Sequence, residues 1–314
     1  MIDFRYHLVS LIAVFLAVAL GIVIGTTQLN GPVLSNLEAQ VTALQEDKRQ
    51  LEDETQQLQI ALDEDGAFDE AVGPTLVQDT LAGRSVVLVV GSPDVPTDVV
   101  EGVTALLGSA GATVTGSIRL AGAYSDPDTA SSLQSYVTGP GRPPGVVLPE
   151  TDDTGELVAA LLAGVLMVPA DGAAPPDPGA TSSVLAGLEE LELLSQDTTS
   201  VSPANFAVLL TAGGYPEDED AAERNDALID LVTALDARGS GAVVAGDSTS
   251  ATEGGLVAAV RADAAVTSDV STVDNVETPA GRITTVLAVA AEGRGTSGAY
   301  GTGEDTLPVP VPAP

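Results

Sequence analysis

The chain has no cysteine and no tryptophan, one histidine and two methionines. Without cysteine there is no disulfide, no thiolate nucleophile and no thiolate metal site. The histidine is His7, at the start of an apolar run, and the methionines are Met1 and Met167. The soft ligands that select Cu(I), and most other transition-metal ligand sets, are therefore missing. Basic residues are scarce too, with Lys and Arg numbering 11 against 45 Asp and Glu, a formal net charge of −34. Neutralising phosphate requires the opposite balance, which excludes an ordinary nucleic-acid binder and disfavours peripheral docking on anionic lipid. Aromatic residues are 3% of the chain, too few for the girdles of a membrane β-barrel. No GxxxxGK[ST] phosphate loop and no GxSxG elbow occurs, and no histidine other than His7 could act as a base. The chain is expected to be no enzyme and to hold no cofactor.

What is present begins with LVSLIAVFLAVALGIVIG, Leu8 to Gly25, and no charge occurs between Arg5 and Glu38. At about 1.5 Å per residue, a helix of that length nearly covers the roughly 30 Å hydrocarbon core. A cleaved signal peptide is the alternative. The run exceeds the usual apolar region of about 7–15 residues, and GTTQLNG leads straight into a helical pattern. The reading is a single-pass transmembrane helix over residues 8–26, with residues 1–7 cytoplasmic. Arg5 lies on the short side and nothing basic follows until Lys48 and Arg49, so the remainder is placed outside the plasma membrane.

Ala13, Ala17, Gly21 and Gly25 recur every fourth residue and give the helix a small-residue face. Leu37, Leu44, Leu51 and Leu58 then recur every seventh, and Leu34, Val41, Lys48, Thr55 and Leu62 fill the other seam position. This heptad pattern predicts a parallel coiled coil over residues 33–65 and a homodimer. Its contact would be made by Ala17, Gly21, Gly25, Leu37, Val41, Leu44, Leu51 and Leu58. The competing reading is an amphipathic helix packed on its own globular domain.

Asp65-Gly66 and Gly73-Pro74 then read as breaks within a linker over residues 66–80. Ser85 to Gly91, Thr113 to Leu120, Phe206 to Thr211 and Gly241 to Gly246 are strand candidates, joined by segments of helical spacing. Gly145 to Pro149 reads as a further short strand, and Asp171 to Ser183 as a loop, with a division near Pro175 left open. Alternating strands and helices predict the α/β class, with a mostly parallel sheet, over residues 81–303. LPVPVPAP closes residues 304–314 as a Pro-rich mobile tail.

Two stretches offer candidate ligand or partner contacts. Asp247, in GDSTSATEGG, follows a predicted strand, so it is either a helix cap or a ligand group at the carboxyl end of the sheet. Asp274 and Asn275, in VSTVDNVETPAGRI, read as an Asx-type turn into a helix or as a site. A carboxylate-dependent enzyme or sugar-binding domain near Asp247 and Asp274 is the weaker third reading. GSPDVP, after the first strand, lacks the GxGxxG spacing, and its Asp94 would oppose a pyrophosphate. PEDED, residues 216–220, lacks the Gly and terminal Glu of a calcium loop and reads as an acidic helix start.

MIDFRYHLVSLIAVFLAVALGIVIGTT and STVDNVETPAGRITTVLAVAAEGRGTSGAYG together resemble the actinobacterial MctB-type copper-transport protein family. The resemblance implies a role in copper homeostasis of the envelope, with an outer-membrane channel proposed for the family. It implies copper as the one metal in question, and Asp274, Asn275, Gly281, Tyr300 and Gly301 as the matching positions. It also implies a link to envelope biogenesis and cell division through a membrane partner protein. The residues themselves argue for an anchored, dimeric scaffold in place of a pore, since one spanning helix cannot line a channel.

Overall fold

The computed structural model describes residues 4–139, 142–215 and 220–310, without side chains at 26–34 and 127. They fall into two units divided between Asp65 and Gly66. Helix α1, Phe4–Val77, opens the chain, and its segment Phe4–Gly25 is long and apolar enough to cross a membrane. The seam residues Leu37, Val41, Leu44, Leu51 and Leu58 are 52–74% exposed in the single chain. A Cβ added at Gly21 or Gly25 would meet nothing within 4 Å. The side chain of Leu34 lies outside the described residues. In the other seam positions, Lys48 pairs with Glu52 at 3.2 Å and Thr55 Oγ1 donates back to the Leu51 carbonyl at 2.7 Å.

The expected linker over residues 66–80 is mostly helix, because α1 continues to Val77 through both expected breaks. Pro74 costs a helix interior about 3 kcal/mol, so packing must outweigh it. Gly73 provides that packing: a Cβ there would stand 2.9 Å from Ile283 Cδ1, and Val77 is fully buried. Arg282 also reaches Glu70 at 3.6 Å. The turn chemistry of Gly-Pro was legible, but the surface waiting for it was not.

From there strands and helices alternate. The order is β1 Ser85–Val90, α2 Thr97–Ser109, β2 Thr113–Leu120, α3 Ala130–Thr138, α4 Thr154–Leu166, α5 Pro178–Glu190 and β3 Leu194–Gln196. It continues with β4 Phe206–Thr211, α6 Ala221–Arg238, β5 Ala242–Gly246, α7 Leu256–Ala262, α8 Ala264–Thr267, β6 Ser271–Val273, α9 Pro279–Glu292 and β7 Ala299–Tyr300. Among the described residues these strands form one sheet in the order β3-β2-β1-β4-β5-β6-β7. Every neighbouring pair is parallel except β2–β3, so the sheet is mixed and mostly parallel.

The apolar runs of β1, β4 and β5 are explained by burial on both faces. Val87, Val89, Leu209 and Val244 face one core with α3 to α8, while Leu88, Val90, Val208 and Val243 face the other with α2, α9 and Val77. Successive side chains of a strand point to opposite faces, so a strand covered on both sides has no polar positions left.

Three further expectations are corrected. Residues 145–149 form no strand; Val146 packs on α4 instead, where a Cβ on Gly164 would come within 3.0 Å of it. Helix α5 begins at Pro178 inside the expected loop, its start fixed by Asp177 accepting from Gly179 and Ala180 N–H, and no division falls near Pro175. The tail is not free over its described part. Leu307 N–H donates to the Ala299 carbonyl at 2.9 Å, Thr284 Oγ1 donates to the Pro308 carbonyl at 3.3 Å, and Pro310 is buried. Residues 216–219 of the acidic run, and 311–314 of the tail, lie outside the described residues.

Candidate ligand clefts at the carboxyl edge of the sheet

The chain runs outward from β1 to β2 and β3, then returns to place β4 on the other side of β1. The connections leaving β1 and β4 therefore diverge, opening a crevice beyond their carboxyl ends. Open α/β sheets hold ligands at such switch points. A cleft of about 420 Å³ occupies it here. One wall is Gly91 to Asp94, the turn after β1; another is Thr211 to Gly213 with Tyr215, after β4; α6 adds Arg224, Asn225 and Leu228. Tyr215 Oη donates to Asp94 Oδ2 at 2.5 Å and so joins the two loops. Gly213 sits at φ 88°, and a Cβ on it would meet the Tyr215 hydroxyl at 2.7 Å, so the turn needs glycine. Burial raises the Tyr215 phenol above its usual range, helped by its bond to the Asp94 carboxylate.

A second cleft, about 390 Å³, shares Ser125 and Asp126 with the first. It lies between the segment after β2, the start of α4 and the first half of α6, and its lining includes Asp126, Asp152, Asp153, Glu223, Asp226 and Asp230. No Lys or Arg is among the lining residues. Asp230 is raised to about 6, by burial first and then by the charges of Asp153, Glu156 and Asp226. Tyr124 is 5% exposed, and its hydroxyl has no hydrogen-bond partner. Burial pushes its phenol upward, and the Asp230 charge pushes in the same direction.

Asp247, Asp274 and Asn275 line neither cleft, and of the three Asp247 reaches the first one through its bond to Gly213. Asp247, at the end of β5, caps a short 3-10 turn: Oδ1 accepts from Ser250 N–H at 2.9 Å and Gly213 N–H at 3.0 Å, and Oδ2 accepts from Thr249 at 2.8 Å. Asp274 is 1% exposed and accepts from Arg261 at 2.8 Å, Thr302 N–H at 2.7 Å and Gly303 N–H at 3.1 Å. Its charge and its lone pairs are thus satisfied from within, which ties the C-terminal segment to β6. Asn275 is buried at the start of the turn into α9, where Gly281 leaves no room for a Cβ against the Asn275 carbonyl. Its Oδ1 has no partner. Ala17, Gly21, Gly25 and the leucine seam belong to the other unit. Tyr124, Tyr215 and Asp230 gave no sequence signal, since no motif spacing connects them. Among the described residues no three His, Cys, Asp or Glu side chains converge to hold a metal ion.

Fold and clefts together define an α/β protein with a long apolar N-terminal helix and with recesses at the carboxyl edge of a mostly parallel sheet. The family model for "Copper transport outer membrane protein, MctB" matches residues 1–311. The "Copper transporter MctB" proteins of Mycobacterium tuberculosis (strain H37Rv) and Mycobacterium bovis are each 35% identical to it over 315 residues, covering 99% of both chains. That of Mycobacterium leprae is 34% identical over 319 residues, covering 99% of this chain and 100% of its own. The chain belongs to the MctB family.

Proposed function

We propose that this protein is a single-pass envelope protein that supports copper homeostasis or efflux as a dimeric, non-enzymatic accessory scaffold. The observation that carries the reading is the seam on α1. Five large apolar side chains at heptad spacing stand exposed on the helix that also carries the candidate membrane span. Exposed apolar stripes of this kind are covered in the working state, and a second copy tethered in the same plane is already concentrated beside the first. The N-terminus lies in the cytoplasm and the α/β unit outside, in line with Arg5 and the absence of further basic residues before Lys48. Copper enters through kinship with the mycobacterial relatives, whose name is copper transporter. One spanning helix makes a pore through this chain alone a poor fit, so the copper role is placed in assistance to other components.

Disulfide cross-linking of a Leu44→Cys variant in membranes tests the scaffold: a dimer band is expected, and an exclusively monomeric product would remove it. Deleting the gene tests copper: altered intracellular copper or copper tolerance is expected, and unchanged values would remove that part. The clefts at the carboxyl edge favour one second reading, an interaction module that regulates envelope assembly or division through a protein partner. A division or wall-hydrolase partner recovered from solubilised envelopes, with copper handling unchanged in the deletion strain, would select it.

A further inference from the structure

The first cleft, at the switch point between β1 and β4, has walls of mixed chemistry. In a chain of net charge −34, its charged lining is limited to Asp94, Asp126 and Arg224. A recess so close to neutral is not built to gather cations. Nor does it suit an anion, because Asp94, in the turn after β1, would repel a phosphate bound there. Its volume of about 420 Å³ lies within the usual range of small-molecule pockets.

Two groups in the lining have capacity that the protein itself leaves unused. Thr211, the last residue of β4, is 4% exposed and lines the cleft. Its methyl is turned toward Gly246, where an added Cβ would stand 2.9 Å from Cγ2. Its hydroxyl makes no hydrogen bond within the described residues and yet stays open to solvent, so it can donate and accept inside the recess. Tyr215 is the other. Its ring is 42% exposed in the lining, held by the Asp94 carboxylate at its tip and backed closely by Gly213. Covering a ring that is already fixed costs little conformational entropy.

The neighbouring polar groups are oriented as well. Asp94 spends one carboxylate oxygen on Tyr215 and keeps a second acceptor. Asn225 spends one amide N–H on the Gly254 carbonyl at 3.2 Å, which fixes the amide and leaves its other N–H and its oxygen. A wholly apolar ligand would strip these groups of water without replacing it. An uncharged ring bearing several hydroxyls matches them: its hydroxyls donate to the carboxylate and accept from the amide, and its C–H face covers the phenol ring.

We infer that the cleft between the turns after β1 and β4 is a binding site for a pyranose ring of a neutral carbohydrate, stacked on Tyr215 and held by Asp94, Thr211 and Asn225. The copper and dimer readings make no use of this site, so it stands or falls apart from them.

The test uses the full chain in lauryldimethylamine oxide micelles, since alkyl-glycoside detergents would compete for the site. Cellotriose and, separately, chitotriose are titrated calorimetrically and by saturation-transfer NMR. Saturable binding of one or both is expected, with transfer to the C–H protons of a ring. Cellotriose binding means that plain hydroxyls suffice, and chitotriose alone means that an acetamido group is required. Tyr215→Ala should weaken binding about tenfold or more, whereas Tyr215→Phe, which keeps the ring, should weaken it about threefold at most. Asp94→Asn should cost about tenfold, the scale of lost hydrogen bonds to a charged group. Glu101→Gln, exposed on α2, should leave binding unchanged. Far-UV circular dichroism checks that each variant folds, and Thr211→Val, expected to weaken binding about threefold, replaces Tyr215→Ala if the latter does not. Absence of binding by both sugars overturns the inference. So does affinity that is unchanged in Tyr215→Ala and Asp94→Asn, or displacement of the sugar by inorganic phosphate at equal ionic strength, which would mark an anion site.

Discussion

Leu44 and Leu88 are the same side chain in opposite surroundings. Leu44, on α1, is 74% exposed; Leu88, in the middle of β1, is 1% exposed and lies against α2 and α9. The contrast extends to whole regions. In the unit after Gly66 nearly every large apolar side chain has found a neighbour inside the chain, whereas Phe4 to Leu62 presents its apolar side chains outward. One region is complete within one copy. The other carries a pattern that nothing within the chain covers; on the proposed reading, lipid covers the first part and a second copy's helix the second. Periodicity records an apolar face in both places; only packing tells which face is already covered.

Paired substitutions test that contrast where the effect is largest. Leu88→Ala should lower the unfolding free energy of the α/β unit by about 3 kcal/mol, because the rigid neighbours on both sides cannot close the gap. Leu51→Ala should change that unit by less than about 0.5 kcal/mol while reducing the cross-linked dimer formed through Leu44→Cys. Denaturant unfolding and gel analysis of the same membranes report the two effects. Equal losses at both positions would mean that the seam is buried within the chain after all.

The same contrast explains how much was legible beforehand. β1 and β4 could be read almost to the residue, because a strand buried on both faces leaves a nearly uninterrupted apolar run of six residues. β3, β6 and β7 have three, three and two residues, too few for any period to register. The last turns of α1 were hidden for another reason. Gly73-Pro74 is local evidence for a break, and the contacts that overrule it come from Ile283 and Leu106, far along the sequence. The acidic cleft was equally hidden: Tyr124 and Asp230 meet only because α6 returns beside the segment that follows β2. Asp247 and Asp274 were visible as carboxylates in turns, and the structure gives both of them intramolecular hydrogen bonds.

Within the buried region the exception is Glu292, a carboxyl at the end of α9 that is 6% exposed. It accepts from Ser271 and from Ser297, yet burial raises it from 4.5 to about 7, the Asp236 charge adding to the rise and the Ser271 bond opposing it. Between those two values the folded chain holds a proton that the unfolded chain has released. Stability from this group is therefore full below about pH 4.5, falls as pH rises, and is lost above about pH 7. The fall is about 3 kcal/mol at most. Asp230 and Asp236, each raised to about 6, push the same way. Urea midpoints measured from pH 4.5 to 8 should decline, and Glu292→Gln should flatten the decline. A wild-type profile that rises over that window would contradict the buried, proton-holding carboxyl.

The smallest effect concerns the boundary between a structural carboxylate and a ligand-facing one. Asp247 uses Oδ1 to cap the turn after β5 and also to hold Gly213, the residue whose left-handed backbone folds Tyr215 toward Asp94. Removing the side chain should cost about 1 kcal/mol, the usual worth of a cap, and Asp247→Asn should recover most of it because an amide oxygen can still accept. Neither change touches the lining of the acidic cleft, so the effect should be confined to the denaturation midpoint. If Asp247→Ala left the midpoint in place, its bonds to Ser250 and Gly213 would carry no stability, and the carboxylate would belong with the groups that face the cleft instead of with the buried framework.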